Sequence, residues 1–170
     1  VSNFFNNLSD AWSAVNSSLQ CKGQEAMNNF WRFTINSTFG LGGIFDVASE
    51  AQIPRVKQDF GLTLGHWGVK PGPYVVLPLL GPSTLRDTVA TPVDMYGGPL
   101  GAVNESATRN ALTGLGMVDR RAQLLEATDI LETGTLDPYL ALREAYFTDR
   151  KNRVSGHNTP EVAQAEAAQP

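Results

Sequence analysis

The sequence predicts a mainly α fold, and three observations carry that prediction. Apolar residues recur at helical spacing in two well-separated stretches, DPYLALREAYF carries a clear helix-start signature, and no convincing pair of strands is visible. With 170 residues, 42% of them hydrophobic, the chain is long enough to bury one core. Only 18% are charged, against roughly 25% in ordinary soluble domains.

The first helix is written in Phe5, Leu8, Trp12, Val15 and Leu19, spaced 3 or 4 apart, with Asn6, Asn7, Ser9, Ser13 and Ser17 off the stripe. After Gly23 a second pattern runs through Ala26, Met27, Phe30 and Phe33, and stops near the glycines of NSTFGLGG. A short helix is expected over Ile44–Glu50, ending before Pro54. Residues 60–105 read as irregular except for a short helix after Thr84, where Thr84 and Asp87 match a capping box. Ala111, Leu115, Val118, Ala122 and Leu125 form another helical stripe, bent or interrupted at Gly114 and Gly116. The last helix has Asp137 as N-cap and Pro138 at its first position; Tyr139, Leu142 and Tyr146 make its buried face, and Arg150 and Lys151 suit its negative end. The organisation is one helical domain, residues 1–153, and a disordered tail, residues 154–170, with too few large apolar side chains to pack.

The stretch FGLTLGHWGVKPGPYVVLPLLGPSTLRD (60–87) is unusual. Nine of its 28 residues are Gly or Pro and only three are charged, so it combines loop-forming backbone with strong hydrophobicity. It cannot form a long regular helix. The chain opens at VSNFFNNLSD, without the basic, apolar and small-residue succession of a signal peptide. No uncharged apolar run reaches the ~18 residues of a spanning helix.

Several chemistries find little support. The net charge of −4 is spread thinly, and no Lys/Arg cluster suits a nucleic-acid backbone. The single Cys21 forms no internal disulfide. Cys21, His66 and His157 are too few for a metal site, and His157 falls in the expected tail. His66 and Ser83 could be imagined as a hydrolytic pair, but the G-x-S-x-G elbow is absent, and His66 reads better as a ring packed beside Trp67. FGLGG lacks the third glycine of a dinucleotide fingerprint. Its amides could face an anion, although a sharp helix-to-helix turn is the favoured reading. No catalytic residue, metal or cofactor is assigned.

Three blocks then bear on identity: RFTINSTFGLGGIFDVAS (32–49), FGLTLGHWGVKPGPYVVLPLLGPSTLRD (60–87), and VDRRAQLLEATDIL with DPYLALREAYFTDR (118–150). In sequence, order and spacing they resemble the MlaA/VacJ family of outer-membrane lipoproteins. The resemblance implies a ring or horseshoe of α-helices lying in the membrane around an amphipathic channel. It implies a lipid-anchored protein at the inner leaflet of a Gram-negative outer membrane. Such a protein passes misplaced phospholipid to a soluble periplasmic carrier, maintains lipid asymmetry, associates with a trimeric porin and performs no covalent chemistry. The family pattern begins upstream of Val1 with a lipidated cysteine, so the resemblance implies that this part is missing here; Cys21 is not that residue. The family's channel-side hairpin would fall at MYGGPLGAVNESAT (95–108), which is shorter and more polar than expected.

On this reading the Gly/Pro segment meets acyl chains, because irregular backbone at membrane depth survives only inside protein or along a wet cavity. The lipid-path candidates are Phe39, Gly40, Gly42, Gly43, Ile44 and Phe45 of the FGLGGIF turn, with Trp67, Tyr74, Val75, Leu77 and Leu79. The competing reading is a non-conducting adaptor that binds porin through the faces of Trp12, Phe30 and Tyr146.

Overall fold

In a computed structural model, residues 1–78, 80–134 and 137–156 are described, without the side chains of 126–134. The fold is mainly helical, as the sequence predicts. Helices α1 (Ser2–Leu19) and α2 (Gly23–Thr38) form a hairpin. Its turn is a Schellman closure: Lys22 N–H reaches Ser17 O at 2.9 Å and Cys21 N–H reaches Ser18 O at 3.0 Å.

The mutual face of these two helices is polar. Helix α1 buries Asn7, Asp10, Ser13, Asn16 and Ser17, and α2 buries Glu25, Asn29, Arg32 and Asn36. The apolar stripe read from the sequence has the right period but turns outward. Phe5, Leu8 and Trp12 are only half-buried, and Val15 and Leu19 are exposed. The reason lies in residues 53–59, which have no regular structure of their own. Val56 and Gln58 of this segment are buried, their backbone groups need partners, and the polar helix faces supply them. The Ser13 hydroxyl donates to Gln58 O at 3.1 Å and accepts from Gln58 N–H at 2.9 Å. The Asn29 amide brackets Val56 in the same way, at 2.7 and 3.3 Å. Arg32 donates to Ile53 O, and pairs with Asp10 at 3.3 Å and Asp46 at 2.7 Å. Arg55 closes this ionic core onto Asp10 at 2.9 Å and Asp46 at 3.2 Å.

Helix α3 (Val47–Glu50) is shorter than expected because Asp46 caps it, accepting from Ser49 N–H. Helix α4 (Phe60–His66) occupies part of the stretch expected to be irregular, with Asp59 as its N-cap. An antiparallel hairpin follows, β1 (Tyr74–Leu77) against β2 (Gly81–Thr84), in the register Tyr74↔Thr84 to Leu77↔Gly81. This corrects the expectation of no strand pair. Helix α5 (Leu85–Gly97) continues through Pro92 for 13 residues, longer than the short helix expected there. Only half of the expected capping box forms: Thr84 accepts from Asp87 N–H at 3.4 Å, while the Asp87 carboxylate turns to Arg86, Tyr146 and Arg150.

Residues 95–108 form no hairpin but hold the end of α5, a 3-10 turn (Pro99–Ala102) and the start of α6 (Ser106–Gly134). Helix α6 runs unbroken through Gly114 and Gly116. The stripe residues Ala111, Leu115, Val118, Ala122 and Leu125 are all exposed. Helix α7 (Pro138–Ser155) starts as predicted, with Asp137 accepting from the N–H groups of Tyr139 and Leu140, and ends on Gly156 in the left-handed region. It therefore extends past Val154, where the tail was expected; residues 157–170 lie outside the described ones. Tyr139 is exposed rather than buried.

Among the described residues, sixteen polar or charged residues are buried but only four hydrophobic ones, Ala48, Val56, Leu62 and Ala90. Large apolar side chains are exposed along every α-helix of more than ten residues, with Phe30, Trp31, Val89, Val118 and Leu140 among them. Scattered exposed apolar residues are ordinary. A polar inside together with so much apolar surface is not.

Candidate functional site: an amphipathic cavity

A cavity of ≈ 690 Å³ lies between α1, the β-hairpin, α5, α6 and α7. One part of its wall is apolar: Leu8 and Trp12 from α1, Leu77 and Leu80 from the hairpin, Leu100, and Met117 and Leu124 from α6. Charged side chains line it as well. Lys57 and Asp59 come from the segment before α4, Asp87 and Asp94 from α5, Asp119 and Arg120 from α6, and Asp149, Arg150 and Arg153 from α7. The cavity thus offers both apolar and charged side chains to an occupant, the two kinds of surface an amphiphile needs.

The charged wall is held by Arg150. Its guanidinium takes Asp59 with two nitrogens, one of them at 3.2 Å, and its Nε donates to Asp87 at 3.0 Å. The Tyr146 hydroxyl donates to the same Asp87 oxygen at 2.6 Å, and Arg86 Nε to the other at 2.8 Å. Burial alone would raise the pKa of Asp87, but Arg150 first, and then the Arg86 and Tyr146 bonds, hold it below the usual carboxylate value. The Tyr146 hydroxyl is pushed up to about 12, by burial first and by the neighbouring Asp87, against the opposing pull of Arg150. Helix α4 can lie this close because of Gly61: a Cβ there would stand 2.4 Å from Asp87 Oδ1. The expectation that Arg150 serves the negative end of α7 is thus replaced by a clamp joining α7 to α4 and α5.

Asp94 ties α1 and α4 to α5, accepting from Trp12 Nε1–H at 2.7 Å and Phe60 N–H at 2.8 Å. Burial raises its pKa, and these two bonds offset only part of that. Lys57 lines the cavity as an exposed side chain, although neighbouring protein removes part of its water. That desolvation is the main cause of its lowered pKa, reinforced by the positive charges of Arg55, Arg153 and Arg120.

The residues singled out in the sequence lie mostly elsewhere. Phe39, Ile44 and Phe45, with Leu41, stand exposed around the turn after α2. Gly40 and Gly43 are buried inside that turn, and Gly42 is exposed. The amides of Gly42 and Gly43 are spent on Ser37 O at 3.1 Å and Asn36 O at 2.8 Å, so they are engaged in closing the turn rather than facing an anion. Gly43 has φ 91° and a Cβ there would meet Asn7 at 2.6 Å, so only glycine fits. Trp67 is exposed beyond α4, its Nε1–H on Leu19 O at 3.2 Å. Tyr74 packs among Tyr139, Tyr146 and Phe147, with Val75 exposed beside it. Leu77 lines the cavity, and Leu79 lies outside the described residues. Ser83 is buried, its hydroxyl shared with Thr84 O and Thr88 Oγ1, while His66 is exposed at the end of α4.

Most cavity residues escaped the sequence reading because they are single charges far apart in the chain. The polar set Asn7, Asp10, Ser13 and Asn16/Ser17 of α1, with Gln20 just after it, is helically spaced and buried, but it marks the polar helix face and none of it lines the cavity.

Comparison with known proteins places this geometry. A relative from Escherichia coli (strain K12), named intermembrane phospholipid transport system lipoprotein MlaA, is 39% identical over 151 residues, covering 86% of this chain and 59% of the relative. A Rickettsia felis protein named only as uncharacterized is 36% identical over 155 residues, 91% of this chain; the chain spans 62% of that relative's length. A solved structure reported under "Structural basis for maintenance of bacterial outer membrane lipid asymmetry" superposes with a TM-score of 0.71 at 37% identity, over 90% of this chain and 77% of the other. The family model described as MlaA lipoprotein matches residues 1–153, and the chain belongs to that family.

Proposed function

We propose that the cavity is a passage for phospholipid, moving molecules from the outer leaflet of a bacterial outer membrane towards a soluble periplasmic carrier. The protein sits in the inner leaflet beside a trimeric porin, is lipid-anchored in its full-length form, and moves its cargo without making or breaking a covalent bond. The observation that carries this reading is the reversed polarity: charged and amide side chains inside, large apolar side chains outside. Among the described residues no helix is long and apolar enough to cross a membrane. An apolar exterior on shorter amphipathic helices suits a body seated within one leaflet. Phe39, Leu41, Ile44 and Phe45 are each more than half exposed. At about 1.5 kcal/mol each on immersion in acyl chains, they contribute on the order of 5 kcal/mol to that seating. The family membership supports the reading, as do the E. coli relative's named role in intermembrane phospholipid transport and the likeness to a structure concerned with lipid asymmetry.

The test is to fill the passage. In the full-length protein, Leu77→Trp with Met117→Trp narrows the cavity, and Val118→Trp on the exposed face of α6 serves as control. Outer-leaflet phospholipid should accumulate with the cavity pair and not with the control. Normal clearance by a stably folded cavity pair overturns the passage and favours an adaptor.

A further inference from the structure

We propose that Asp94 is the acceptor for a primary ammonium group, the terminal cation of an ethanolamine phospholipid head; this rests on the reading that the cavity carries phospholipid. Among the described residues lining the cavity, five carboxylates outnumber four cations, and Asp94 differs from the other four. Asp59 and Asp87 share Arg150, and Asp149 pairs with Arg153. Asp119 has neutral donors only, but each of its oxygens takes one: Ser2 at 2.6 Å on Oδ1 and Gln123 at 2.9 Å on Oδ2. Asp94 makes no ion pair among the described residues, and both of its donors, Trp12 Nε1–H at 2.7 Å and Phe60 N–H at 2.8 Å, fall on Oδ1. Oδ2 accepts nothing from the described residues and is not sealed from solvent. Two neutral bonds thus fix the direction of a carboxylate whose charge is unmatched.

The surroundings favour a cation there. Arg150, whose positive charge reaches Asp94, is already bound to Asp59 and Asp87, and the Asp59 charge adds to the burial that raises the Asp94 pKa. A cation on Oδ2 would stabilise the ionised form. Asp94 also stands in the last turn of α5, which carries no basic residue, so the negative end of that helix has no cation of its own. Gly98, the C-cap of α5, lines the cavity as Asp94 does. Among the described residues no three His, Cys, Asp or Glu side chains converge to hold a metal ion, and a single free oxygen suits an N–H donor better. A primary ammonium supplies such donors, whereas a quaternary one has no N–H to give. Trp12, which holds Asp94, belongs to the apolar lining of the cavity, so the subsite suits the head of an amphiphile rather than a free amine.

The full chain in mild detergent at neutral pH is titrated with phosphatidylethanolamine, phosphatidylcholine, phosphatidylglycerol and free ethanolamine, and binding is read by native mass spectrometry. Phosphatidylethanolamine should bind on the order of tenfold more tightly than the other two lipids, the scale of one charge-assisted hydrogen bond. Asp94→Asn, which keeps an acceptor for Trp12 and Phe60, should remove that preference without weakening phosphatidylglycerol. Glu50→Gln, which removes an exposed charge from α3, should leave the preference intact. Equal binding of phosphatidylethanolamine and phosphatidylglycerol by the wild type, or a preference that survives Asp94→Asn, overturns the subsite while leaving the passage intact. A wild type that holds no phospholipid overturns both. Phosphatidylcholine bound as tightly as phosphatidylethanolamine overturns the requirement for a primary ammonium, and free ethanolamine bound as tightly overturns the assignment to a lipid head.

Discussion

Replacing Arg150 by methionine removes the guanidinium shared by Asp59 and Asp87, and its cost can be worked from the burial of each partner. The side chain of Arg150 is 13% exposed, that of Asp87 5% and that of Asp59 33%. Taking one partner from a buried pair costs about 3–5 kcal/mol, because the remaining charge is left uncompensated. Asp59 is a third exposed, recovers water and keeps the Leu62 N–H at 2.8 Å, so its part is close to that of a surface pair. Asp87 keeps Arg86 and Tyr146. The loss therefore falls at the low end, about 3 kcal/mol at neutral pH.

The pH dependence supplies a second reading of the same perturbation. In the wild type the folded-state pKa of Asp87 lies below its ordinary 3.8, so its stabilising contribution is complete above that value and is lost as pH falls further. Arg150 is the largest influence holding it down. Without that guanidinium burial prevails, the folded pKa rises, and protonation relieves the variant earlier. The stabilities of the two proteins should converge as pH falls towards 3.8 and below. Denaturant unfolding in mild detergent measures the difference, and amide exchange along α7 locates it. Adding Asp87→Asn to Arg150→Met should recover at least 1 kcal/mol or so, as coupled partners do. An Arg150→Met protein within about 0.5 kcal/mol of the wild type at neutral pH, or a gap that widens on acidification, refutes the reasoning.

Two further substitutions probe the same wall. Gly61→Ala places a methyl 2.4 Å from Asp87 Oδ1 and 3.1 Å from both Arg150 Nη2 and Asp59 Oδ1. It should cost about 1–3 kcal/mol by overpacking, despite the better helix propensity of alanine, and an unchanged unfolding midpoint would contradict the clamp. Asp94 has a folded pKa raised by burial, so its contribution is full below its ordinary 3.8 and is lost as pH rises through the folded value. Asp94→Asn keeps an acceptor for Trp12 and Phe60; at pH 7 it should be at least as stable as the wild type, losing that advantage in acid. A loss at pH 7 beyond about 1 kcal/mol, the scale of one hydrogen bond, would show that the charge itself is needed.

How much of this was legible depends on what kind of information each feature carries. The start of α7 was readable because Asp137 and Pro138 act locally, on their own backbone. The period of α1 was readable too, but not which of its faces turns inward. Helical spacing defines two opposite stripes, and the choice between them depends on what surrounds the molecule and on what must be buried. The interior here holds the irregular backbone of residues 53–59, which Ser13, Asn29 and Arg32 satisfy and leucines could not. The β-hairpin was hidden because β2 is GPST, with little strand character of its own; its pairing with YVVL is a tertiary fact. Gly116 read as an interruption of α6, whereas a Cβ there would stand 3.1 Å from the Phe5 ring, so the glycine marks a close approach. Arg150 read as a dipole partner because Asp59 and Asp87 lie 91 and 63 residues away in the chain.

The polar interior follows from what the exterior meets. A protein whose outside meets acyl chains cannot rely on hydrophobic burial to decide its inside, because lipid and core are equally apolar. Direction must come from hydrogen bonds and ion pairs, which are strong where water is excluded and costly when left unmade. The Asp10–Arg32–Asp46–Arg55 core and the Asp59–Arg150–Asp87 clamp both follow that rule, every carboxylate finding its cation.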